Sequence, residues 1–155
     1  MARFDMSGLD ETIREMTRLG QQSGEAAKAM LQAGAEKVKT AWRRATEEHG
    51  LVDTGDMLES IGFAREPKAV GDMLSIDIYP QGTDRKGVRN AEKAFILHYG
   101  TTRHPATHFI DDADAYSEAE AVPAMEAIWD EYVSTGTVPR VALSPNHPSG
   151  KSNKI

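Results

Sequence analysis

A chain of 155 residues can bury roughly two thirds of its unfolded surface, enough for one self-sufficient domain and little more. Its formal net charge of -6 and pI near 5.4 exclude a protein that grips nucleic acid through its phosphates, which needs a basic face. The lack of cysteine excludes disulfides and thiolate metal sites and fits a reducing cytoplasm.

No apolar run approaches the ~20 residues of a membrane span, and MARFDMSGLDE lacks the apolar core of a signal peptide, so a soluble, unprocessed chain with no membrane contact is expected. Leu9, Ile13 and Met16 predict a short helix ending near Gly20. From Gly24 a longer pattern runs through Ala27, Leu31, Gly34, Val38, Trp42 and Ala45, the spacing of one helical face, and predicts the main helix over residues 24–48. Its stripe is rich in small side chains (Ala27, Gly34, Ala35, Ala41, Ala45) and would let another backbone come close.

The stretch LVDTGDMLESI follows. Asp53-Thr54-Gly55 matches the triplet of aspartic proteases, whose chemistry needs two carboxylates sharing one proton; a chain with one such triplet would have to dimerise. Here a long helix precedes it, Asp56 follows it, and MLES continues in helical style. That context predicts a turn, with Asp53 or Thr54 accepting a backbone hydrogen bond as N-cap, Asp56 favouring the helix dipole, and Met57, Leu58 and Ile61 facing inward.

The period then changes. Ile61 and Phe63, then Leu74, Ile76 and Ile78, alternate with polar residues and predict two strands, roughly 61–66 and 72–79, joined as a hairpin across EPKAVGD. PQGTDRKGVRN (80–90) reads as a long exposed loop whose Asp84, Arg85, Lys86 and Arg89 are solvated or touch a partner. Asn90 is expected to cap a short helix containing Ala94, Phe95, Leu97 and His98, and Gly100 to end it in a left-handed conformation, with Thr101 completing the turn.

From Phe109 to Val133 apolar residues again recur at helical spacing: Phe109, Ala113, Tyr116, Met125, Ile128, Trp129 and Tyr132. Pro123 clashes with the carbonyl of Ala119 and removes a donor, predicting a kink or two abutting helices. Gly136 ends the pattern. Residues 101–138 hold eight acids and one base, Arg103, whereas the last seventeen residues reverse sign at +3 through Arg140, Lys151 and Lys154 and hold three of the seven prolines. The expected fold is α+β, with a long N-terminal helix and a kinked C-terminal helix on a small antiparallel sheet. Residues 1–138 form the domain and 139–155 an extended arm.

A second constellation is His98, His104 and His108 with Asp111 and Asp112. His104 and His108 have the i, i+4 spacing of two metal ligands on one helix, but Pro105 lies between them and no Glu follows His104 as a metalloprotease base would. A hydrogen-bonded surface turn is the favoured reading. No phosphate-binding glycine loop or nucleophile elbow is present, and no cofactor is expected.

Three blocks stand together: Val52-Asp53-Thr54-Gly55 with Leu58 and Ser60-Ile61; Leu97-His98-Tyr99-Gly100-Thr101; and Pro105-Ala106 followed by Phe109-Ile110 and Ala113. In this order and spacing the chain resembles the tail-component or neck (head-tail joining, tail completion) family of long-tailed double-stranded DNA phages. That family usually has Glu and Phe at the positions of His98 and Tyr99. The resemblance implies a virion structural protein without enzymatic activity, assembled in the host cytoplasm as a homo-oligomeric ring, a hexamer or alternatively a dodecamer. Its neighbours would be head-closure or adaptor proteins and tail terminator or tube proteins, with double-stranded DNA passing through the lumen without specific binding. Asp53, Thr54, Gly55, Gly100 and Thr101 are then structural turns, and Arg85, Lys86, Arg89, Arg140, Lys151 and Lys154 partner contacts. The competing reading is a hydrolase, aspartic on Asp53 or metal-dependent on His98, His104 and His108.

Overall fold

The computed structural model describes residues 7–71 and 73–144. Four helices and four short strands follow in the order α1 (Ser7–Glu48), α2 (Asp56–Ser60), β1 (Ile61–Gly62), β2 (Lys68–Val70), β3 (Met73–Ser75), β4 (Tyr79–Pro80), α3 (Asn90–Tyr99) and α4 (Phe109–Thr135). The architecture is α+β: two long helices lie side by side, with an irregular antiparallel hairpin and two short helices against them.

The two helices predicted between Leu9 and Glu48 are one. Gly20 and Gly24 have no neighbour that a Cβ would meet, and a helix-interior glycine costs only about 1 kcal/mol. That penalty does not break a helix supported on both sides, so α1 runs through both positions.

Small residues let α4 approach α1. Ala26, Ala29, Ala35, Ala41 and Ala45 are all buried, and Gly34 is so close to α4 that a Cβ there would lie 2.9 Å from Met125 Sδ. His49 meets Asp112 near one end of the seam and Gly34 meets Met125 further along, which makes the helices antiparallel. Trp42 and Phe109 cross edge to face at 6.0 Å and 89°. Around that pair Ala45, Met57, Ala94, Phe109 and Ala113 form the core, with Trp42, Leu51, Leu97, Ile110 and Tyr116 packed on it. Tyr116 Oη donates to Glu48, whose carboxylate also accepts from Arg44 Nε, and the Arg44 guanidinium covers the Tyr116 ring at 4.0 Å. These contacts fix the register of α4 on α1.

α4 is one helix with Pro123 inside it, rather than two abutting helices, and Pro123 lies exposed. Of the residues expected to face inward, Phe109, Ala113 and Tyr132 are buried, but Trp129 is 45% exposed. Gly136 closes the helix at φ 72, its N–H donating to Tyr132 O. The chain then turns back along α1: Ser144 donates through its N–H and its hydroxyl to the Glu36 carboxylate, and Lys39 Nζ donates to Ser144 Oγ. Lys39 is buried, and desolvation pushes its pKa down while Glu36 opposes the shift.

The hairpin is real but broken. Ile61 pairs with Pro80 and Lys68 with Ser75, so five residues (63–67) face three (76–78) between the two ladders. Pro67 lies among the five and lacks the N–H a ladder needs, and the surplus residues bulge. The turn is therefore at Gly71, with φ 61, and the strands are shorter than the alternation suggested. Leu74 is 38% exposed and so is not part of the core.

The seam makes a graded prediction. Gly34→Ala should change stability by about 1 kcal/mol or less, because the helix-propensity gain offsets moving the flexible Met125 side chain. Gly34→Leu should destabilise by about 1–3 kcal/mol by forcing the helices apart. Urea midpoints at constant m-value measure both.

Candidate functional site

The turns that follow α1 and the loop before α3 gather around α2 and α3. His49 N–H donates to Ala45 O and Leu51 N–H to Thr46 O, ending α1, and Gly50 takes φ 66 to reverse the chain. Gly55 is the N-cap of α2, at φ 87. It holds the cap position expected for Asp53 or Thr54 because only a residue free of a Cβ takes that conformation at little cost. Thr54 contributes from one residue before, its Oγ1 accepting the Asp56 N–H at 3.3 Å. Asp53 is exposed.

Asp56 does more than favour the helix dipole. Arg85 donates to it from Nε at 2.9 Å, Nη2 at 2.8 Å and its own backbone N–H at 3.0 Å. This two-pronged contact clamps the 80–90 loop to the start of α2. The loop has a second anchor in Asp84, which is buried: its Oδ1 accepts the N–H groups of Lys86 and Val88, both at 2.8 Å, and its Oδ2 pairs with Lys93 Nζ from α3. The segment expected to be a long exposed loop is exposed along most of its length, but it is held from both sides. Lys86 and Arg89 remain exposed, as does Arg140; Lys151 and Lys154 lie outside the described residues.

Asn90 does not cap α3. Arg89 holds the cap position without a side-chain hydrogen bond, and Asn90, buried, donates from Nδ2 to Gln81 O at 2.9 Å. At the other end Gly100 has φ 77 but an extended ψ of 174, so it leaves the helix rather than forming a left-handed cap. A Cβ there would sit 2.6 Å from Ala106 N and 2.9 Å from His104 O. Thr101 holds the turn, its N–H donating to His104 O and its Oγ1 accepting from the N–H groups of Arg103 and His104. Gly100-Thr101 is therefore a turn dictated by close backbone approach.

The histidines divide. His104 lines a cavity of about 490 Å³ between the 50–58 segment and α3, whose walls are mostly apolar, with Asp53 the one carboxylate among them. A single carboxylate cannot form the proton-sharing pair of an aspartic protease. His98, His108 and Asp111 instead come together, with donor atoms within 4.8 Å of one another. The hydrogen bonding argues for a helix cap rather than a metal site. His98 Nδ1 accepts the Ile110 N–H at 3.3 Å, at the first turn of α4, so the neutral ring keeps its proton on Nε2, the atom facing Asp111 at 4.0 Å. A metal on Nε2 would require the proton on Nδ1, opposed to the Ile110 N–H. The adjoining backbone supports the cap: Thr107 N–H and Oγ1–H donate to Leu97 O, and His108 N–H donates to His98 O. His108 takes φ 53 to start the helix. An acceptor at position 98 is what the geometry requires, and a glutamate can supply one as well as this histidine.

The Asp53-Thr54-Gly55 turn, the helix before it and the clamped loop lie in one continuous stretch. Residues 10–98 match the family model described as "Bacteriophage HK97-gp10, putative tail-component". The chain belongs to this HK97-gp10-like family. It is by family a bacteriophage tail component, and the match covers more than half of the chain, from the second turn of α1 to His98 in α3; α4 lies beyond it. No curated protein and no solved structure matches it significantly. Among the described residues no helix is long and apolar enough to cross a membrane.

Three measurements check this site. The hydrogen bonds from the Arg85 side chain and backbone hold the Asp56 carboxyl well below the usual carboxylate range. A depressed folded value stabilises the fold above the unfolded value near about 4 and is lost as pH falls through the folded value. Asp56→Asn should therefore lower Tm at pH 7, and its difference from the parent should shrink steadily as pH is taken below about 4. For the histidines, a strong chelator should leave Tm unchanged, since removing a bound metal would lower it by mass action. His98→Ala should cost about 1–2 kcal/mol, the loss of a cap, while His98→Asn, whose Oδ1 can take the Nδ1 position, retains more stability.

Proposed function

We propose that this tail component is a head-tail connector subunit, of the neck or tail-completion type. Copies of it close into a ring, hexameric in the simplest case and dodecameric in the alternative, around the channel through which DNA leaves the head. It assembles in the host cytoplasm between a head-closure or adaptor ring and the tail terminator or tail tube, and remains in the virion.

Beyond family membership, the observation that carries this reading is α4. The helix holds Asp111, Asp112, Asp114, Glu118, Glu120, Glu126, Asp130 and Glu131 and no lysine or arginine. All eight are exposed; Asp112 pairs with His49 at the end of α1, and Asp111 faces His98 and His108. A channel bordered by such a surface repels the phosphate backbone, so DNA passes without adhering. The reading assigns no catalytic role. Asp53 is exposed in a turn that Gly55 shapes, and the pair of histidines that meet is engaged in starting α4.

The test uses the phage that encodes the chain. Without the gene, infected cells should accumulate DNA-filled heads and unjoined tails visible by electron microscopy, and wild-type protein supplied in trans should restore joined particles. Asp53→Asn should restore them equally. Joined, infectious particles in the absence of the chain would overturn the reading, as would a folded Asp53→Asn protein that fails to complement.

A further inference from the structure

Two apolar surfaces are left exposed among the described residues. On α3, Phe95 and Tyr99 are 62% and 60% exposed, and their rings pack together at 4.7 Å between centroids; Ile96 extends the patch. On α4, Val122, Trp129 and Val133 are half exposed and, at spacings of seven and four, share one face. Trp129 leans on the buried Tyr132 at 5.7 Å, which holds the indole ready for contact. Exposed aromatic patches of this kind mark interaction sites, and tryptophan and tyrosine supply most of the anchors at interfaces.

The two patches cannot cover each other in one chain. α3 ends beside the start of α4, where the His98 and Phe109 rings are 6.2 Å apart. With a rise of 1.5 Å per residue, Val122 lies about 20 Å and Val133 about 36 Å further along α4. Their surroundings are also opposite in charge. Lys86, Arg89 and Arg103 are exposed in the turns on either side of α3, against Glu92 on the helix itself; Glu118, Glu126 and Asp130 stand along the α4 face with no base on that helix.

We propose that the Phe95–Tyr99 face of α3 docks onto the Val122–Trp129–Val133 stripe of α4 in a second copy of this chain. Each copy then presents one free α3 face and one free α4 stripe, and repetition of this head-to-tail contact closes a ring. The apolar residues form the dry centre, and the basic turns meet the acidic helix at the rim. This inference rests on the ring reading above and names the contact that closes it.

Phe95→Asp and Trp129→Asp, each checked for folding by circular dichroism, test the contact by sedimentation velocity. Each variant alone should associate roughly 30-fold or more weakly than wild type, the size of a hot-spot loss. Mixed together they should form heterodimers and stop there, because one intact α3 face and one intact α4 stripe remain between them. Since the chain has no cysteine, a Phe95→Cys, Trp129→Cys double variant gives a second readout that survives poor folding of the aspartates: oxidation should produce a ladder of covalent oligomers, while either single cysteine variant stays monomeric in the gel. Rings that persist in both aspartate variants would overturn this contact and leave the ring reading standing. Covalent dimers from Phe95→Cys alone would overturn it in favour of a symmetric contact. A wild-type protein that is monomeric in solution and absent from purified particles would overturn both.

Discussion

The close approach of α1 and α4 is the constraint on which the rest of the fold depends. Interaxial distance between packed helices is set by the side chains at the contact, and here the contact is built from alanines and one glycine. Ala35, Ala41 and Ala45 bury almost completely without filling much space, so the bulk comes from large side chains: Trp42, Phe109 and Met57 meet at one end. Toward the C-terminal end of α4 the large buried side chain is Tyr132, at 1% exposure. That is where Trp129 and Val133 remain in solvent, and where an assembly has surface to use.

Loop anchoring follows a common plan. Asp56 and Asp84 each accept two kinds of donor at once, backbone N–H groups and a basic side chain from a distant segment. Charge-assisted hydrogen bonds of this type are stronger than neutral ones and specify orientation. The chain can therefore hold an eleven-residue segment rich in glycine and charge in one conformation with little apolar burial beyond Pro80 at its start. Lys86 and Arg89, placed in the same segment without such an acceptor among the contacts described, are left pointing to solvent in a fixed frame. A rigid frame for exposed charge lowers the ordering cost of binding a partner.

The two glycine-containing motifs also act alike. Gly55 opens α2 and Gly100 closes α3, both at positive φ, and each is followed or preceded by a threonine hydroxyl that accepts backbone N–H groups. The Asp-Thr-Gly triplet owes its form to that geometry. Its aspartate is the one carboxylate in the adjacent cavity, so the chain supplies half of a protease pair at most.

Much of this was determined by the sequence alone: the α+β class, the small-residue face of α1, a helix from Phe109, the turns at Asp53-Thr54-Gly55 and Gly100-Thr101, the acidic run on α4 and the phage-family likeness. All are local properties, since helical period, glycine conformation and charge are carried by neighbouring residues. Tertiary structure decided what depended on distant partners. Arg85 binds Asp56 across 29 positions, Asn90 turns inward to Gln81 instead of capping its helix, and His98 starts α4 from another element. Ser144 binds Glu36 across 108 positions, bringing the described part of the arm onto its own α1. Trp129 faces solvent although its spacing matched the inward stripe, because a small-residue seam is too narrow to cover it. Periodicity says that a face exists; only the packing of the other helix decides how wide a face is buried.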